Sequence, residues 1–115
     1  MIGIGLGAEA GIAGSRLTAP QRQKVAIARM LLRRPDILIL NEAVSALDSG
    51  VQGPTIARIL NEAADRTVIL IAHRARLAQP FDRVLVMRGG RVIEDGSFDT
   101  LDKEGTALRA LLDEE

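Results

Sequence analysis

Two short runs of branched aliphatic residues, each ending abruptly in a polar pair, restrict what this chain can fold into more than any other feature. Ile37-Leu38-Ile39-Leu40 runs into Asn41-Glu42, and Val68-Ile69-Leu70-Ile71-Ala72 runs into His73-Arg74. Between them Ile56, Ile59, Leu60 and Ala63 share one face of a helix. Strand, helix and strand in that order imply parallel strands joined by a crossover. The expected fold class is therefore α/β, a mostly parallel sheet flanked by helices. Ligands of such sheets bind beyond the C-terminal strand ends. Asn41, Glu42 and His73 lie there and are the first candidates for chemistry.

The remaining elements follow from local signals. A helix starts at an N-cap Thr18, with Pro20 in its first turn and Gln21 three residues after the cap, the pattern of a capping box. Apolar residues from Val25 to Leu32 nearly encircle it, and Pro35 ends it. Arg22, Arg29 and Arg33 form a basic stripe at helical spacing, read as a solvated face or a contact to further protein. The first strand covers 36–41 and leads through small residues to Asp48, and Pro54 is expected to open the second helix. The second strand covers 67–72. A short helix then runs to Gln79 and is stopped by Pro80. Strands 84–87 and 91–94 flank Arg88-Gly89-Gly90, a tight hairpin turn. Helical stretches at 98–103 and 106–112 finish the chain. Residues 1–17, rich in glycine and alanine, are expected to form a flexible lead-in to one domain, 18–115.

Composition narrows the function classes. Fifteen basic and fifteen acidic residues cancel, so bulk charge gives no argument for nucleic acid. The only aromatic residues are Phe81 and Phe98, so the core is built from Leu, Ile, Val and Ala. Cysteine is absent, which rules out disulfides and thiolate metal sites. No apolar run reaches the ~20 residues of a membrane helix.

A carboxylate ending one strand and a histidine ending the next can hold a polarised water beside an anion. Glu42 has the chemistry of a general base, and His73 can donate a hydrogen bond to a phosphate or a developing oxyanion. The helix start at Thr18 and Gln21 offers backbone N–H groups and positive dipole to an anion. Each residue also has a plain structural reading. Thr18 and Gln21 can simply cap a helix, Asp48 can cap the next one, and a lone histidine at a strand end is often structural.

In this order the segments resemble the ABC ATPases, in particular their exporter branch. Leu17-Thr18-Ala19-Pro20-Gln21-Arg22-Gln23-Lys24-Val25-Ala26-Ile27-Ala28-Arg29 is similar to the signature motif and its helix. Ile37-Leu38-Ile39-Leu40-Asn41-Glu42 resembles the Walker B strand, Ser45-Ala46-Leu47-Asp48 the D-loop and Ile71-Ala72-His73-Arg74 the H-loop. The stretch 84–96 resembles the hairpin that follows. The resemblance covers about residues 15–112. It implies the C-terminal half of a P-loop NTPase fold, with ATP and Mg²⁺ as ligands. It also implies a head-to-tail partnership with a second ABC ATPase domain and a transmembrane transporter domain, at the cytoplasmic face of a membrane. By position, Glu42 would polarise the attacking water and His73 would contact the γ-phosphate. Asp48 would communicate across the dimer, and Thr18, Gln21 and Asn41 would line the nucleotide site.

The chain also departs from that family. No G-x-x-x-x-G-K-[ST] occurs, so the loop that cradles the phosphates and its strand are missing from these 115 residues. The strands at 67–72 and 84–87 would flank that missing strand, so they are expected either to close up or to leave open edges. Asn41 stands where the family has the Mg²⁺-supporting Asp, and Ala19-Pro20 replaces two glycines. The chain alone is expected to be inactive and to show no Mg-ATP binding at micromolar affinity. An alternative reading is a degenerate half-domain, or gene remnant, that docks on a competent ATPase. A third, a soluble ABC ATPase of DNA repair or translation, is disfavoured by the His73-Arg74 spelling.

Overall fold

The computed structural model describes residues 16–115. The expected lead-in lies almost wholly outside the described residues. The element order is α1 (Ala19–Leu32), β1 (Ile37–Asn41), α2 (Ser49–Glu62), β2 (Thr67–Ile71), a 3₁₀ turn (Ala75–Ala78), β3 (Val84–Arg88), β4 (Arg91–Gly96), α3 (Phe98–Leu101) and α4 (Ala107–Asp113). The chain divides into two compact units, one ending at Ile71 and the other spanning Ala72–Glu115.

In the first unit β1 and β2 are parallel, in register from Ile37 opposite Thr67 to Asn41 opposite Ile71. This is the crossover that the sequence requires, with α2 as its connection. Leu38 and Leu40 are buried on one face of β1, whereas Ile37 and Ile39 on the other are 58% and 60% exposed. Ile69 and Ile71 of β2 are likewise exposed. One face of this parallel pair is covered and the other carries bare isoleucine, where parallel sheets are ordinarily covered on both. The apolar belt of α1 is similarly incomplete, because only Ile27 is fully buried and Leu32 is 77% exposed. Arg22, Arg29 and Arg33 are all exposed, as expected of a solvated stripe.

Pro54 does not open α2. The helix begins at Ser49, and Pro54 lies inside it. The start is fixed upstream, where the Asp48 carbonyl accepts the N–H groups of Val51 (2.8 Å) and Gln52 (3.2 Å). The buried Gln52 amide adds a bond from Nε2 to the Leu47 carbonyl (3.0 Å). With the first turn nucleated this way, the proline costs one hydrogen bond and does not end the helix.

The second unit holds an antiparallel hairpin, β3 with β4, whose register shifts between Val86 and Met87. Gly89 and Gly90 turn it with φ of 57° and 76°, the positive pair that a two-residue hairpin turn needs. Val84, Val86, Phe98, Leu101, Leu108 and Leu112 form its core. The Glu94 carboxylate accepts the N–H groups of Ala107 (2.7 Å) and Leu108 (2.9 Å), tying β4 to the start of α4. Arg83 grips Asp95 with two parallel bonds, Nε to Oδ1 at 2.8 Å and Nη2 to Oδ2 at 2.6 Å. That bond holds the Asp95 carboxyl below its ordinary range and raises the Arg83 guanidinium.

The strands form one parallel pair, the expected crossover, and one antiparallel pair, the expected hairpin. Among the described residues β2 pairs only with β1 and β3 only with β4. One edge of β2 and one edge of β3 thus have no partner strand among the described residues.

Candidate functional site

The C-terminal end of β1 carries the strongest signal of function. Asn41 is the last residue of the parallel ladder, and Glu42 extends it by one bond, its N–H donating to the Ile71 carbonyl at 3.1 Å. The backbone then turns sharply: Glu42 has φ of 57°, a left-handed conformation that costs a non-glycine residue roughly 1–2 kcal/mol. The following loop is closed by Ser45 N–H to the Glu42 carbonyl (3.1 Å) and Leu47 N–H to the Val44 carbonyl (3.0 Å). Glu42 is exposed at this strand end, and backbone outliers of this kind cluster at functional sites, although Arg34 has a similar φ of 51°.

The N-terminus of α1 is the second element. Thr18 and Gln21 form a complete capping box: Gln21 N–H donates to Thr18 Oγ1 at 3.3 Å, and Thr18 N–H donates to Gln21 Oε1 at 3.0 Å. The expectation of several free N–H groups is corrected here. Of the first four positions, Thr18 and Gln21 have their N–H groups in the box and Pro20 has none, so the box leaves over only Ala19. Thr18 Oγ1, accepting from Gln21, keeps its own proton to donate. Arg22 Nη1 donates to the Leu17 carbonyl at 2.7 Å and pins the segment ahead of the helix.

Asp48 sits at the N-cap of α2, but its side chain makes no capping hydrogen bond. The carboxylate is exposed, and the plain capping reading does not account for it. His73, two residues beyond β2, is an exposed residue of the second unit. Among the described residues no three His, Cys, Asp or Glu side chains gather as a metal site. Asn41 offers one neutral amide oxygen in place of a carboxylate, a weaker acceptor for the water shell of a Mg²⁺ ion.

One residue of the signature-like stretch is given no site role by the sequence. Gln23 of α1 donates from Nε2 to Ser45 Oγ (3.0 Å) and to the Glu42 carbonyl (3.3 Å), and its Oε1 accepts from Ala46 N–H at 2.8 Å. Only the fold brings α1 against the loop after β1.

Comparison with known proteins gives these residues a context. The chain is 46% identical over 97 residues to the heterocyst differentiation ATP-binding protein HepA of Nostoc sp., covering 84% of this chain and 16% of that protein. It is 42% identical over 99 residues to the β-(1→2)glucan export ATP-binding/permease protein NdvA of Rhizobium johnstonii, covering 86% of this chain and 17% of that one. A solved bacterial Atm1-family ABC exporter with ATP bound superimposes with a TM-score of 0.80 at 34% identity, over 93% of this chain and 19% of the exporter. Over most of its length, this chain's homologues are ABC exporter ATP-binding proteins. No family model matches it. The chain spans about a sixth of the length of the curated relatives it matches. The α/β fold is that of the corresponding part of an ABC exporter. Among the described residues no helix is long and apolar enough to cross a membrane.

Proposed function

We propose that residues 18–115 of this ABC exporter relative are the C-terminal part of an ATP-hydrolysing domain, completed by a segment that carries the phosphate-binding loop. The observation that carries this is Glu42, a carboxylate held in a left-handed backbone conformation at the C-terminal end of a parallel strand. In this reading Glu42 polarises the water that attacks the terminal phosphate of ATP, and His73 donates a hydrogen bond to that phosphate. The Thr18 hydroxyl and the Ala19 N–H meet the nucleotide of a partner domain in a head-to-tail pair. Asp48, with its side chain not engaged in capping, reports across the same pair. Phosphoryl transfer asks of a protein mainly positioning and charge stabilisation, which these groups supply. Coupling to a transmembrane domain, at the cytoplasmic face of the membrane, belongs to the completed assembly.

Asn41 and Pro20 favour a second reading, in which this nucleotide site is a weakened one. The neutral Asn41 leaves out a charge, and Pro20 removes a backbone donor from the helix start. In that form the half-domain supports a competent partner and hydrolyses nothing itself.

Calorimetry with Mg-ATP tests the proposal. The chain alone should show no micromolar binding, because the phosphate cradle is absent from its sequence. Joined in frame to a segment bearing G-x-x-x-x-G-K-[ST], it should bind one ATP. A one-site micromolar isotherm for the chain alone would overturn the account, and so would no binding by the joined protein.

A further inference from the structure

We propose that Gln23 is a positioning residue for Glu42, a side-chain clamp that fixes the base-bearing loop to helix α1. The proposal rests on the reading of Glu42 as the residue that polarises water. A primary amide has two N–H donors and one carbonyl oxygen, and Gln23 places all three on the single loop 42–46. Nε2 reaches the Glu42 carbonyl at 3.3 Å and Ser45 Oγ at 3.0 Å, while Oε1 accepts from Ala46 N–H at 2.8 Å. The amide orientation is dictated by chemistry, because the Ala46 N–H can only donate and the Glu42 carbonyl can only accept. A flipped amide would set donor against donor and acceptor against acceptor.

The backbone of Glu42 is thereby held from every side. Its N–H is bonded to the Ile71 carbonyl, and its own carbonyl takes both Ser45 N–H and Gln23 Nε2. An unfavourable φ of 57° persists only where the surroundings over-determine it, and the Gln23 side chain, from outside the loop, reaches both its ends. Gln23 also lies two residues beyond Gln21, on the helix whose capped start faces the nucleotide in the proposed reading. A displacement of α1 therefore moves the Glu42 backbone directly, through one side chain. The consequence is a link between occupancy at the helix start and placement of the base.

Two substitutions separate the parts of the clamp. Gln23→Met keeps the length and removes all three bonds. Gln23→Glu keeps the acceptor for Ala46 and removes the donor to the Glu42 carbonyl. Measured by NMR on the chain itself, Gln23→Met should speed amide exchange at Ala46 by about tenfold or more and change the HN–Hα coupling of Glu42. Gln23→Glu should leave Ala46 slow and change only Glu42. Unchanged exchange and coupling in both variants would overturn the clamp. In the protein joined to its phosphate-loop segment, both variants should lower kcat for ATP by about tenfold or more with KM within about twofold, the mark of misplacement and not of lost binding. An unchanged kcat, or kcat and KM falling in proportion to a lowered Tm, would refute a positioning role. Glu42→Gln run beside them distinguishes the two failures. If it leaves turnover intact, the base assignment and the catalytic consequence of the clamp both fall, while the NMR result still decides whether the clamp exists.

Discussion

Glu42 combines an exposed carboxylate with a backbone conformation that glycine would adopt at no steric cost. If the conformation is kept for chemistry, removing the side chain should stabilise the fold. Glu42→Gly is expected to unfold at an equal or higher urea midpoint, by up to about 1 kcal/mol, while the joined protein loses turnover. A loss of stability above about 1 kcal/mol would mean that the side chain serves packing. The residue type and strand position of Glu42 were legible in the sequence; its φ was not, because it is set by bonds to Ile71, Ser45 and Gln23. Gln23 itself was illegible as a clamp, since its partners lie about twenty residues away and meet it only in the fold. Asp95 offers a second test at this scale. Its folded pKa is lowered first by the hydrogen bond from Arg83. The stability it contributes is therefore present above the unfolded carboxylate value and lost as pH falls through the depressed folded value. Arg83→Gln should move the Asp95 titration midpoint upward, measured by carbon NMR of the carboxyl. An unmoved midpoint would show that the pair is not formed in solution.

At the scale of elements, capping chemistry was the most readable part of the sequence. The Thr18 and Gln21 box forms in full, and the Gly89-Gly90 turn takes the positive φ pair that its composition implies. Pro54 misled because a proline marks a helix start only where nothing upstream has already nucleated the turn. Here Asp48, through its carbonyl, and Gln52, through its side chain, have done so. The start of α4 is anchored from outside its own sequence by the Glu94 carboxylate, which accepts two of its N–H groups. A carboxylate so placed satisfies orphan donors and meets the positive end of the helix. Glu94→Ala should destabilise the chain by roughly 1–2 kcal/mol, read from urea denaturation. A change below about 0.3 kcal/mol would show that Thr106, at the N-cap of α4, suffices.

For the molecule as a whole, the parallel pair is the feature the sequence described only in part. The strand order and crossover followed from the alternation of elements. The covering of the sheet did not, because an apolar run reads alike whether its second face is packed or bare. Ile37, Ile39, Ile69 and Ile71 stand exposed on one face of a sheet type that is ordinarily covered on both. An apolar face beside unpaired strand edges promotes association. Sedimentation velocity of the isolated chain should show a weight-average mass that rises with concentration in the micromolar range. Replacing Ile37 and Ile39 with Thr should reduce that rise, and a strictly monomeric wild-type chain would contradict the reading of the bare face.

The most direct test of the central claim is steady-state phosphate release by the chain joined to its phosphate-loop segment, with Glu42→Gln as the paired variant. Mg-ATP-dependent turnover is expected to fall by about a hundredfold or more in the variant, while ATP affinity is kept. Turnover equal in the two proteins would contradict it and remove Glu42 from the chemistry.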